Sequence, residues 1–148
     1  MKLNDLVPNL QVAIGPVILI SGVGLLLLSM TNRFGRVLDR SRELVTALRA
    51  VPAPERLHLR SELKILHRRA RLLRSAITLG TLSVLTAALL VISLFLAALL
   101  RVEVGLLGAA LFIACMLSLI GSLIFFLADI NRSLAALKLE LNSIQADA

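Results

Sequence analysis

The chain has 148 residues, enough for one domain. With 58% hydrophobic and 17% charged residues and a mean hydropathy of +0.92, it is not composed as a soluble one. Sixteen Lys/Arg against nine Asp/Glu give +7, and twelve of the sixteen lie between Arg33 and Arg74, flanked by three stretches without any Asp, Glu, Lys or Arg.

Those stretches are Leu6 to Asn32, Ser75 to Leu100 and Val104 to Ala128, each 25 to 27 residues long. A helix needs roughly 20 apolar residues to cross a bilayer core of about 30 Å, so each is long enough to span with some tilt. Lipid offers backbone N–H and C=O groups no partner, and continuous Leu- and Ala-rich runs do not alternate as barrel strands do. The expected fold is an all-α membrane protein of three transmembrane helices, over about 9–31, 75–100 and 104–128, in a single membrane domain 1–148.

The first span is expected to start near Pro8, with Asn4 or Asp5 as cap. Gly15-Pro16 predicts a kink near Val12 to Gly15. A cleaved signal peptide carries its positive charge before the apolar core. Here only Lys2 precedes it, offset by Asp5, while Arg33, Arg36, Arg40 and Arg42 follow, which reads as a retained helix. Nothing after Pro16 breaks the helix before Val51-Pro52-Ala53-Pro54, so it should run on to about Arg49.

Over 33–49, Phe34, Leu38, Ser41, Val45 and Leu48 alternate four and three apart, as in a coiled coil. Leu59, Leu63, Leu66, Ala70 and Leu73 repeat that spacing after the Pro-rich turn at 51–54. Residues 33–74 thus predict an antiparallel coiled-coil hairpin whose arms reach about 25–30 Å. Its second arm runs into the span at Ser75. Beyond the third span, Leu134, Leu137, Leu141 and Ile144 mark a short amphipathic tail helix over about 129–146. It would pack on the hairpin or a neighbouring subunit, or remain solvated.

The block 33–74 sets twelve Lys/Arg against four acids, Asp39, Glu43, Glu55 and Glu62. Short basic loops stay cytoplasmic. This predicts an outside N-terminus, a cytoplasmic hairpin, an outside turn at Arg101-Val102-Glu103 and a cytoplasmic tail. Trp and Tyr are absent, so Arg33, Arg36, Arg74 and Arg101 are the expected interfacial anchors, with anionic headgroups as lipid partners. The basic charge is explained without nucleic acid, for which no recognition motif is present.

Enzyme chemistry finds little support, and no catalytic residue, cofactor or metal site is expected. His58 and His67 are nine apart, read as solvated or hairpin residues, and no metal-ligand cluster, P-loop or nucleophile elbow occurs. No carboxylate lies inside the uncharged spans, which argues against an acidic proton relay. Cys115 is the lone cysteine, read as a small packing residue. Ala110, Ala114, Ser118 and Ser122 form a small-xxx-small run on the third span, and Ser75, Thr78, Thr81, Thr86 and Ser93 scatter over the second; both sets read as helix-packing residues. Asp129, at the inner edge of the third span, is a candidate interface ion-pair partner for Arg33, Arg36 or Arg74.

The first helix carries the feature closest to a site. Gln11, Gly15, Ile18, Gly22, Leu25, Ser29, Asn32 and Arg36 fall on one stripe, four and three apart. It reads in two ways. As a pore lining it has polar mouths, apolar constrictions that could gate by dewetting, and a cationic inner ring. As a packing face it has small residues that let helices approach closely.

The stretch IGPVILISGVGLLLLSMTNRFGRVLDRSREL (14–44) resembles the signature of a bacterial membrane-protein family known only as a domain of unknown function. HRRARLLRSAI (67–77) and FFLADINRSLAALKLEL (125–141) resemble its other recurrent blocks. The resemblance implies a three-span plasma-membrane protein and no activity. The plan also resembles motor-stator and TonB/Tol energiser subunits, which form pentamers around a central pore. This chain lacks a convincing counterpart of their polar residues beside the ion path.

Three helices cannot enclose a water-filled path alone, so a homo-oligomer, pentameric by that likeness, is expected. The expected function is an ion channel or channel-like protein of the bacterial inner membrane. Helix 1 would line the pore, Arg33, Arg36, Arg40 and Arg74 would form a basic vestibule or lipid contact, and anions would be weakly preferred. The alternative is a non-conducting scaffold or partner subunit whose hairpin binds a cytoplasmic protein or anionic lipid.

Overall fold

A computed structural model describes the backbone of residues 3–50, 52, 56–100, 103 and 105–146, and the side chains of 14–50, 52, 56–57, 59–100, 103 and 105–133. Three helices account for nearly all of it: α1 Leu3–Ala50, α2 Arg56–Leu100 and α3 Gly105–Ala146. At 1.5 Å per residue each is about 60–70 Å long, twice a bilayer core. All three are long and apolar enough to cross a membrane.

The ends differ from expectation in two places. α1 begins at Leu3, so Asn4 and Asp5 lie within it rather than capping it, and Pro8 falls in its second turn. As expected, the helix runs on through Gly15-Pro16, since one proline removes one hydrogen bond without ending a membrane helix. The tail is not a separate helix but the end of α3, because no Gly or Pro follows Gly121. The side chains of Leu134, Leu137, Leu141 and Ile144 lie outside the described residues, as do most of the turns 51–54 and 101–104.

The chain forms two compact units, each drawn from all three helices. Unit 1 comprises Met1–Ser29 and Thr78–Ser122; unit 2 comprises Met30–Ile77 and Leu123–Ala148. Fourteen of the sixteen Lys/Arg and seven of the nine acids belong to unit 2, which therefore carries the whole net charge of +7.

Unit 1 is built on small side chains. Gly80, Ser83 and Ala87 of α2 and Cys115, Ser118 and Ser122 of α3 are buried with Val23 of α1. A Cβ on Gly80 would lie 2.8 Å from Leu27 Cδ2 and 3.1 Å from Ser122 Oγ, so any larger residue here has to push these two side chains aside. Ser118 Oγ donates to the Leu79 carbonyl at 2.8 Å, and Cys115 Sγ lies 3.3 Å from Ser83 Oγ. Close approach and interhelical hydrogen bonds are what hold membrane helices together.

Half of the expected small-residue run takes part. Ser118 and Ser122 are buried, whereas Ala110 and Ala114 are exposed. Four-residue steps drift about 40° each around a helix of 3.6 residues per turn, so a run of three steps ends about 120° from its start. On α2, Thr86 and Ser93 donate to carbonyls of their own helix, Leu82 and Leu90, at 2.9 and 2.8 Å, rather than across an interface. Thr78 and Thr81 are exposed, and Ser75 is half-buried.

In unit 2 the buried residues of α1 are Met30, Val37 and Leu44, seven apart. This corrects the expected seam: Leu38 and Val45 are exposed, while Phe34, Ser41 and Leu48 are half-buried. Val37-Leu38 and Leu44-Val45 are adjacent apolar pairs, and alternating three- and four-residue steps fit either member. On α2, Leu59, Leu63, Leu66 and Ala70 are half-buried and Leu73 is fully buried.

Candidate functional site

Two features qualify: the outer stripe of α1 and a buried carboxylate in unit 2. Every stripe residue with a described side chain is exposed in the single chain: Gly15, Ile18, Gly22, Leu25, Ser29, Asn32 and Arg36. Ile18 is 66% and Leu25 71% exposed. Gln11 is helical, with its side chain outside the described residues. A Cβ added at Gly15, Gly22 or Gly24 would meet nothing within 4 Å. Gly15 borders a cleft with Ala87 and Leu90 of α2 and Cys115 of α3, whereas close packing within one copy does not account for Gly22, whose added Cβ would meet nothing.

The second feature is Asp129 of α3, fully buried where the third uncharged stretch ends. Arg69 of α2 donates its Nε–H to Oδ1 at 3.2 Å, and Arg33 Nη1 of α1 lies 3.9 Å from Oδ2. Among the described residues Oδ2 accepts no hydrogen bond. The Arg33 guanidinium also sits over the Phe126 ring, 5.5 Å from its centroid. The carboxylate thus joins all three helices within unit 2. Of the partners expected from the sequence, Arg33 reaches it, while Arg36 and Arg74 are exposed.

Arg69, the nearer partner, was missed by the sequence reading. The signal was its place one turn before Leu73, on the face that carries Leu66 and Ala76. Gly80 and Ser83 were missed likewise, although they continue the three- and four-residue spacing from Leu73 and Ala76.

The basic residues of the expected vestibule divide by commitment. Arg33 is held by Asp129, and Arg40 pairs with Glu43 of its own helix at 3.1 Å. Arg36 is exposed with no ion pair among the described residues. Arg74 is exposed as well. His67 is exposed, and the His58 side chain lies outside the described residues. Cys115 is buried against Ser83.

Residues 13–139 match the family described as a protein of unknown function, DUF2721. The chain belongs to this family. No curated protein and no solved structure matches it. The DUF2721 match takes in the stripe from Gly15 onward, both basic arms and Asp129, and leaves Gln11 outside. Three long apolar helices make this DUF2721 chain a three-span membrane protein by length and composition.

Proposed function

We propose that the protein is a homo-oligomeric, non-enzymatic channel-like protein of a bacterial inner membrane, with α1 around a shared axis. The observation that carries this reading is the exposure of the whole described stripe from Gly15 to Arg36. A purely lipid-facing surface has no use for Gly15, Gly22, Ser29 and Asn32 in one line, whereas a helix facing copies of itself does. The pentamer rests on the likeness of plan to stator subunits. The N-terminus outside and basic arms inside rest on charge asymmetry. A coiled-coil hairpin over 33–74 is supported by the seven-residue repeat Met30, Val37, Leu44 and by the half-buried row on α2. In this arrangement Arg36 forms the basic ring and favours anions weakly.

Two experiments test it. In a Cys115→Ser background, cysteine in place of Ser29 should form disulfide-linked dimers between copies in membranes, and cysteine in place of the half-buried Ala47 should not. Purified protein in planar bilayers should raise conductance above protein-free bilayers, and no current at any voltage or tension would sink the channel reading.

A non-conducting scaffold is favoured by one observation. Ile18 and Leu25, in the middle of the stripe, are highly exposed apolar side chains able to close an axis. Cross-linking through position 29 without conductance would select that reading.

A further inference from the structure

Unit 2 contains a cleft of about 450 Å³ lined by Arg68, Arg71, Leu72, Ser75 and Arg132. It is open to the surface, and Arg68, Arg71 and Arg132 are all exposed. Arg68, Arg71 and Ser75 are three and four apart on α2, so they share one face. Arg132 comes from α3. None of the three arginines has an ion pair among the described residues, although Arg33, Arg40, Arg42 and Arg69 of the same unit all do. Like charges three or four apart on a helix repel, and a third guanidinium from another helix adds to that repulsion. Among the described residues nothing acidic lines the cleft to offset it.

The chemistry that resolves this charge is a phosphate. Guanidinium groups present planar donor forks that match phosphate oxygens, and the Ser75 hydroxyl adds a fourth donor. The location specifies the source. Ser75 opens the second uncharged stretch, and Arg132 stands four residues beyond the end of the third, so the cleft lies where apolar helix gives way to charge. Leu72 supplies an apolar wall on that border. We propose that this cleft binds the phosphate of an anionic phospholipid headgroup, with Arg68, Arg71, Arg132 and Ser75 as donors. The site does not depend on conduction.

The test uses the full chain in detergent, titrated with phosphatidylglycerol, phosphatidylcholine or inorganic phosphate and followed by native mass spectrometry. Phosphatidylglycerol should bind saturably and more tightly than phosphatidylcholine. At about fivefold per basic residue near an anionic surface, the triple variant R68Q/R71Q/R132Q should bind about a hundredfold more weakly. A charge-matched control, R42Q/R49Q/R60Q, should bind within about threefold of the unaltered protein on the same scale. Should the triple variant fail to fold, R132Q alone should still weaken binding about fivefold. Equal loss in the control, or equal binding of the two lipids, would overturn the site. Displacement of phosphatidylglycerol by millimolar inorganic phosphate would overturn the lipid as its occupant.

Discussion

Replacing Asp129 tests whether the buried carboxylate organises unit 2. Asp129→Ala removes one charge-assisted hydrogen bond, from Arg69 at 3.2 Å, and a looser pairing with Arg33 at 3.9 Å. The first is worth about 1.5–3 kcal/mol. The cost should stay near that range, because the Arg69 and Arg33 side chains are 27% and 36% exposed and still reach water or headgroups. Arg69→Ala should cost more, about 3–5 kcal/mol, since it leaves Asp129 wholly buried beyond hydrogen-bond reach of Arg33. The double variant removes both charges together, so the two costs should fall short of additive by about 1–3 kcal/mol. Arg33→Ala should couple more weakly, part of its cost being the contact with Phe126, about 0.5–1 kcal/mol. The assay is unfolding in dodecyl maltoside titrated with SDS, followed by circular dichroism. A coupling below about 0.5 kcal/mol between Asp129 and Arg69, or one stronger with Arg33, would refute the reasoning.

Other substitutions probe the rest of the molecule. Gly80→Ala should destabilise unit 1 by about 1–3 kcal/mol through its clash with Leu27 and Ser122, while Gly24→Ala, with nothing within 4 Å, should not; alkylation of buried Cys115 in partial denaturant reads both. Leu44→Ala should cost about 2–5 kcal/mol and Val45→Ala under about 0.5 in the same unfolding titration, and the reverse order would restore the seam expected from spacing. If the protein conducts, Arg36→Glu should shift the reversal potential in a salt gradient toward cations more than Arg40→Glu does, because Arg36 lies on the stripe proposed to face the axis and Arg40 does not.

The environment and the three helices were legible because uncharged length is a coarse quantity that survives any error of register. The runs beginning at Leu6, Ser75 and Val104 needed no knowledge of neighbours. What was not legible is which side of each helix faces inward. At Val37-Leu38 and Leu44-Val45 the sequence offers an apolar residue on both sides of the division, and the partner helices choose. Gly80 and Ser83 looked like the other small residues of α2 until Leu27, Ser122 and Cys115 were placed against them. Arg69 was one arginine among eleven in its block, and its distinction arises only where α3 brings an acid within 3.2 Å. The α1 stripe was legible as a line of residues, and its exposure in the single chain came from the structure.

Asp129 also bears on how the chain is made. Arg33 and Arg69 are synthesised before it, on the first two helices, so both stay without their acid at the membrane edge until the third helix inserts. Neutralisation is therefore a late event, and it depends on where along its axis the third helix stops. A slip of one turn, about 5.4 Å, carries the carboxylate out of reach of Arg69 and leaves it unpaired among apolar groups, at a cost of several kcal/mol. The pairing thus sets one axial register of α3 against α1 and α2 within unit 2, where the apolar residues before Asp129 offer several.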